Sequence, residues 1–252
     1  MHLINKLTVI SSFIIATTVS FAVSSAPLIG ISSMYDIILP GSQSISKRIH
    51  NTGDSTAFVR VEILEIDPSK NKQQEEVPQK ELSGSKLERN RLLVTPQRLI
   101  ISPAGFSVVR VFWPGERERE RYFRVRFAPV LPEADDSFGL DKEAISQYRK
   151  ETLHAGLNVL TGYGTIVIVQ PDNPTFKTVI NDKAAEAVTI SNDGNATIAL
   201  DDLRQCKGVR TDCSIATREI ILPGRTHVVK RNAGNKISFT LIEGNNKRVL
   251  NY

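Results

Sequence analysis

The side chains that most often do chemistry are few and scattered in this 252-residue chain. Its four histidines, His2, His50, His154 and His227, each stand alone. A metal centre needs clustered ligands, and a proton relay needs a base held beside a nucleophile. No HExxH, GxSxG or phosphate-cradling glycine loop occurs. Asp201 and Asp202 are adjacent, so on a strand they point to opposite faces rather than sharing a site. The inventory argues against catalysis, and no cofactor, metal or small-molecule substrate is expected.

Charge gives no nucleic-acid signal. Lys and Arg number 32 against 27 Asp and Glu, a net charge of +5, and the excess is dispersed. The run 116–121 alternates Glu and Arg and cancels itself. It reads as a solvated loop tip rather than the clustered positive patch that nucleic acid requires.

The N-terminus carries an address. Lys6 precedes an apolar run over 7–23 that ends in the small residues Ala22, Ser24, Ser25 and Ala26. That order describes a secretory signal peptide over 1–25. The alternative, an N-terminal membrane anchor, lacks a basic stop-transfer flank. Pro27 disfavours a cut directly after Ala26, which places cleavage between Ala22 and Ser25. Cleavage removes one lysine and no acid, so the +5 becomes +4. No later stretch reaches the roughly 18 apolar residues of a membrane span, so the mature chain is expected to be soluble without stable membrane insertion.

In an exported chain the two cysteines, Cys206 and Cys213, predict a disulfide. The loop between them is short, so the chain-entropy model gives only about 2–2.5 kcal/mol. A zinc site would need further ligands beside the pair. A local staple, between adjacent strands or across a loop, is the expectation.

The elements that position these residues read as strands. Segments 31–39, 44–50, 57–66, 92–94, 98–101, 107–113, 122–130 and 165–169 are strand-like and separated by turn residues. In 122–130, Phe123, Val125 and Phe127 alternate with Arg124 and Arg126, which suits a strand with one buried face. The hydrophilic stretch 67–90 reads as a long loop or hairpin arm. Segment 131–163 is a long connection, with a weakly amphipathic helix over 141–153 and a strand over 157–161. Connections of this length in compact domains are usually functional or mobile. Pro171-Asp172-Asn173-Pro174 is the best linker. A second series follows at 176–180, 187–191, 197–206, 218–222, 226–230, 237–243 and 247–250. The fold class is therefore all-β, two tandem immunoglobulin-like β-sandwich domains at 26–171 and 172–252.

Several motifs carry a family likeness. Leu92-Leu93-Val94-Thr95-Pro96, then Ser102-Pro103-Ala104-Gly105 and Val108-Val109-Arg110-Val111, resemble the first domain of PapD-like periplasmic pilus chaperones. So do the run Arg121-Tyr122-Phe123-Arg124-Val125-Arg126-Phe127-Ala128-Pro129-Val130 and the closing Val167-Ile168-Val169-Gln170-Pro171. The wording is closer to the alternate chaperones of class 5 (alpha) fimbriae than to those of type 1 and P pili.

The resemblance implies a periplasmic chaperone that binds pilus or fimbrial subunits by donor-strand complementation and delivers them to an outer-membrane usher. It leaves self-association of the free chaperone open. Counted back from Pro171, the family's donor positions fall on Leu157, Val159 and Thr161, which alternate as a donor must. The alternative for these residues is that they fill the chaperone's own core. The family anchors the subunit's terminal carboxylate with an Arg in the first strand and a Lys in the last. Here Asp36 and Ile166 fall at those places, so either the alignment slips by a residue around Gly162 and Gly164 or another anchor serves; the candidates are Arg124, Arg126 and Arg110, whose alternative is a solvated strand face. The rival function is a pilus structural subunit or tip adhesin, weakly imitated by Leu28, Ile29 and Ile31.

Overall fold

A computed structural model describes residues 26–68, 75–78, 91–134, 137–153, 160–208 and 212–252. The expected signal peptide over 1–25 and the donor positions Leu157 and Val159 lie outside the described residues. The first strands are β1 (Ile29–Ile31), β2 (Tyr35–Ile38), β3 (Ser44–Asn51), β4 (Ala57–Asp67) and β5 (Glu75–Pro78). Next come β6 (Leu93–Thr95), β7 (Arg98–Ile101), β8 (Phe106–Phe112) and β9 (Arg121–Val130). Helix α1 (Lys142–Leu153) and strand β10 (Tyr163–Val169) follow. They make a sandwich of a β1-β3-β8-β6 sheet on a β2-β10-β9-β4-β5 sheet, with β7 also paired to β4.

Period-2 alternation explains the layers. Phe123, Val125 and Phe127 of β9 turn inward and are fully buried, while Arg124 and Arg126 take the outer face. Trp113 packs on Phe123 inside, with ring centroids 5.4 Å apart. Fully burying each such aromatic contributes roughly 1.5–3 kcal/mol, which pins the register of the whole strand.

One expected strand is two. Segment 31–39 divides into β1, which pairs with β3, and β2, which pairs with β10 in the opposite sheet. A buried ammonium holds the crossing. Lys47, 2% exposed on β3, donates to the Ser33 carbonyl and to Asp36 Oδ2, each at 2.6 Å. Such a charge is tolerated indoors only when paired and hydrogen-bonded.

The long β9–β10 connection also has structure. Asp141 caps α1, its Oδ1 accepting from the Ala144 amide at 2.7 Å. Ile145 is buried, and the Tyr148 ring meets Phe58 edge-on with centroids 4.8 Å apart. The Tyr148 hydroxyl donates to the Thr56 carbonyl at 2.7 Å. The strand after this connection starts at Tyr163, and Thr161 is exposed just ahead of it.

The second sandwich holds β11 (Thr178–Asn181), β12 (Ala187–Asn192), β13 (Ile198–Lys207) and β14 (Asp212–Cys213). It is completed by β15 (Thr217–Ile221), β16 (Thr226–Lys230), β17 (Asn235–Glu243) and β18 (Asn246–Asn251). A β11-β12-β16 sheet faces a β14-β13-β17-β18 sheet, with β15 also on β13. Val188, Ile190, Ile198, Leu200, Phe239 and Leu241 fill its separate core. Cys206 and Cys213 sit directly opposite on β13 and β14 and are disulfide-bonded, a staple between adjacent strands. The Asp201–Asp202 pair falls at a bulge in β13, where Asp202 takes φ 53° and accepts from Arg204.

Candidate functional site

The edge of β10 is only partly covered. Antiparallel to β9 it is paired throughout Tyr163–Val169, but parallel to β2 only from Ile166 onward. The Ile166 amide donates to the Met34 carbonyl at 2.8 Å, so that residue's polar groups face β2. Two residues earlier, alternation turns the N–H and C=O of Gly164 to the same side, where β2 has already left for the other sheet. Among the described residues, the result is a short open edge at Tyr163, Gly164 and Thr165.

Beside this edge lies an apolar cleft. The outward residues Tyr35 and Ile37 of β2, and Ile166 and Ile168 of β10, meet Ile66 and Tyr122 on the first sandwich. Ile220 and Leu222 from the second sandwich close the far wall. Ile168 is completely buried there. Outward-facing strand residues are normally polar; here the second sandwich covers part of the apolar face, while Tyr35 at its rim stays exposed. Among the described residues, one basic side chain lines this cleft, Arg124.

The three candidate arginines therefore separate. Arg124 stands across from Ile166 on β9 and reaches the cleft. Arg126 stands across from Gly164 and lines a shallower recess with Gly162 and Tyr163. Arg110 is exposed on β8, in the other sheet, between Ser46 and Thr95. Asp36 does not face the cleft at all: it turns inward to Lys47, leaving Tyr35 and Ile37 as the cleft-facing residues of β2. Ile166 does face it.

A second correction concerns the run 116–121. Rather than a solvated tip, it joins the two sandwiches, with Arg117 7% and Glu120 9% exposed. Arg117 donates to the carbonyls of Leu39 and Ser42, ending β2 beside the junction. Its pKa is lowered by burial, which the Asp172 charge partly offsets. Glu120 accepts from the amide and hydroxyl of Thr197 and from the Tyr122 hydroxyl. Gln170 donates to the Thr197 carbonyl at 3.1 Å. Every polar group of Thr197, itself 1% exposed, is thus held by the first sandwich. Burial raises the Glu120 carboxyl above its ordinary value, against the opposing pull of those hydrogen bonds. The same burial, with the neighbouring Glu120 charge, raises Tyr122. Alternating Glu and Arg residues gave no sign of this role, because burial here is created by the second sandwich.

The comparisons with known proteins bear on this geometry. No protein-family model matches the chain. Over 121 residues it is 25% identical to a CFA/I fimbrial subunit of Escherichia coli, covering 48% of this chain and 47% of that protein. The chain thus spans about half the length of the curated relative it matches. Among solved structures, the class 5 fimbriae chaperone CfaA matches with a TM-score of 0.51 at 18% identity. That match covers 89% of this chain and 98% of CfaA. The fold is that of the fimbrial chaperones. The E. coli chaperone DraB shares this chaperone fold, with a TM-score of 0.50 at 15% identity over 90% of this chain and 98% of its own. Both matches take in the two sandwiches together.

Proposed function

We propose that this protein is a periplasmic chaperone for fimbrial subunits, divided at 26–171 and 172–252, that works by lending a strand and catalyses no reaction. The observation that carries the reading is the open edge of β10 beside an apolar cleft, in a chain with the chaperone fold. An added strand gains main-chain hydrogen bonds from such an edge whatever its sequence, while alternate side chains supply selectivity. In this reading Leu157, Val159 and Thr161, which precede Tyr163 in the sequence, supply the donated side chains. The partners are fimbrial subunits and, for delivery, an outer-membrane usher. Residues 1–25 direct export to the periplasm and are cleaved.

Arg124 is the carboxylate anchor of this reading. Its guanidinium is the basic group at the mouth of an apolar cleft, where a planar bidentate donor suits a chain-terminal carboxylate. Arg110 lies in the opposite sheet and Arg126 along the edge, so neither is as well placed. Two separately closed cores leave the alternative of an incomplete structural subunit without support.

Co-purification of the tagged mature protein from periplasm, with the products of neighbouring genes, tests the reading. A stoichiometric complex with a small, otherwise insoluble subunit is expected. Val159→Glu should fold normally and lose that complex; full capture by the folded variant counts against the donor assignment. Recovery of the protein in surface fibres would favour the structural alternative.

A further inference from the structure

Arg124 reaches its position because residue 164 has no side chain. Its register partner on β10 is Ile166, yet its stem leans one step along the outer face and lies over Gly164. A Cβ placed on Gly164 would stand 3.2 Å from Arg124 Cδ, 3.3 Å from Nη1 and 3.5 Å from Cγ. Carbon atoms at rest keep about 3.5–4.0 Å between them, so a methyl group there overlaps the arginine as it now lies. The atoms in the way belong to a flexible side chain, not to backbone. The arginine is therefore the part that would yield.

The same glycine offers its N–H and C=O to the open side of β10, as the Ile166–Met34 bond and strand alternation require. Edge and guanidinium are thus superposed at one residue. A strand paired to Tyr163, Gly164 and Thr165 would end beneath the guanidinium, next to Tyr35 and Ile166. We propose that Gly164 is a positioning residue, whose missing side chain forms the slot that delivers Arg124 to the terminal carboxylate of a strand added at this edge. The proposal rests on the chaperone reading above and deepens it.

The test uses the full mature protein and a fluorescently labelled peptide of alternating valine and lysine. One form ends in a free carboxylate and the other in an amide, and binding is read by anisotropy. Wild type should bind the free acid about tenfold more tightly than the amide, the discrimination expected of one charge-assisted hydrogen-bond pair. Gly164→Ala should reduce the difference while keeping the wild-type melting temperature, and Arg124→Gln should abolish it. Arg126→Gln should preserve it. Equal titration of acid and amide by wild type, including binding of neither, overturns the proposal. Discrimination undiminished in Gly164→Ala overturns the slot and leaves Arg124 standing. Loss of discrimination in Arg126→Gln but not Arg124→Gln transfers the anchor. Capture of fimbrial subunits from periplasm is a separate readout, so failure of the slot and failure of the chaperone reading are told apart.

Discussion

The two sandwiches share a corner and differ at their edges. In the first, Asn51 opens an Asn-Thr-Gly turn; its Nδ2 donates to the carbonyls of Ser55 and Ile101, and its Oδ1 accepts from the Gly53 amide. In the second, Asn192 opens an Asn-Asp-Gly turn and does the same with Ala196, Ile221 and Gly194. Both asparagines are at most 1% exposed. One side chain thus satisfies buried backbone groups at the end of two strands in each domain, which a corner without sheet partners requires. The scaffold is repeated, so the corner does not distinguish what each domain does.

The edges do. β10 leaves Gly164 open beside an apolar face, whereas the second domain's edge strand β18 carries Lys247 and Arg248 on a largely exposed run. Charged edges resist pairing with other chains, and an open apolar edge invites it. The contrast fits the proposed reading, which assigns strand addition to one domain and a supporting role to the other.

The largest effects should come from the shared corner. Asn51→Ala strands several buried carbonyl and amide groups, so a loss of about 3–5 kcal/mol is expected. Trp113 is the only tryptophan and lies in the first core, so its fluorescence in a denaturant titration reports that domain. Asn51 also accepts from the Leu28 amide and donates to the Ser102 carbonyl, bonds without a counterpart among those of Asn192, so Asn192→Ala should cost about 2–4 kcal/mol. An Asn51→Ala midpoint equal to wild type would mean that the corner is dispensable.

The disulfide comes next and belongs to the second domain alone. Replacing Cys206 and Cys213 together by serine should cost about 2 kcal/mol by circular dichroism, with subunit capture intact. Loss of capture in a folded double variant would deny the supporting role just assigned.

Where the domains meet, pH enters. Glu120 titrates above its ordinary 4.5 when folded, so the folded state holds its proton more tightly than the unfolded chain. Its favourable contribution is present below that ordinary value and lost as pH rises through the raised one. Glu120→Gln should flatten the melting temperature between pH 4.5 and neutrality relative to wild type. Parallel pH profiles for the two proteins would remove Glu120 as the cause. The smallest effect concerns β18: Lys247→Val with Arg248→Val should change stability by no more than about 0.5 kcal/mol. Light scattering should nevertheless show self-association that wild type lacks. A monomeric double variant would show that charge is not what protects this edge.

Much of the fold was legible because alternation is local. Phe123, Val125 and Phe127 against Arg124 and Arg126 declare one buried face without reference to any neighbour, and the strand series with its Pro171–Pro174 linker declares two sandwiches. The two cysteines, close in the chain, declare a short staple for the same reason. Tertiary structure alone decided the rest. Arg110, Arg124 and Arg126 have indistinguishable surroundings in sequence, yet strand order puts the first in another sheet and only the second at the cleft. Asp36 could not be assigned a face until the chain's crossing at Ser33 was known, since a shift of one residue reverses a strand. Glu120 became a buried clasp only because Thr197 of the second domain covers it. Side-chain periodicity is written in neighbours along the chain, whereas edges, crossings and clefts exist only once distant strands have paired.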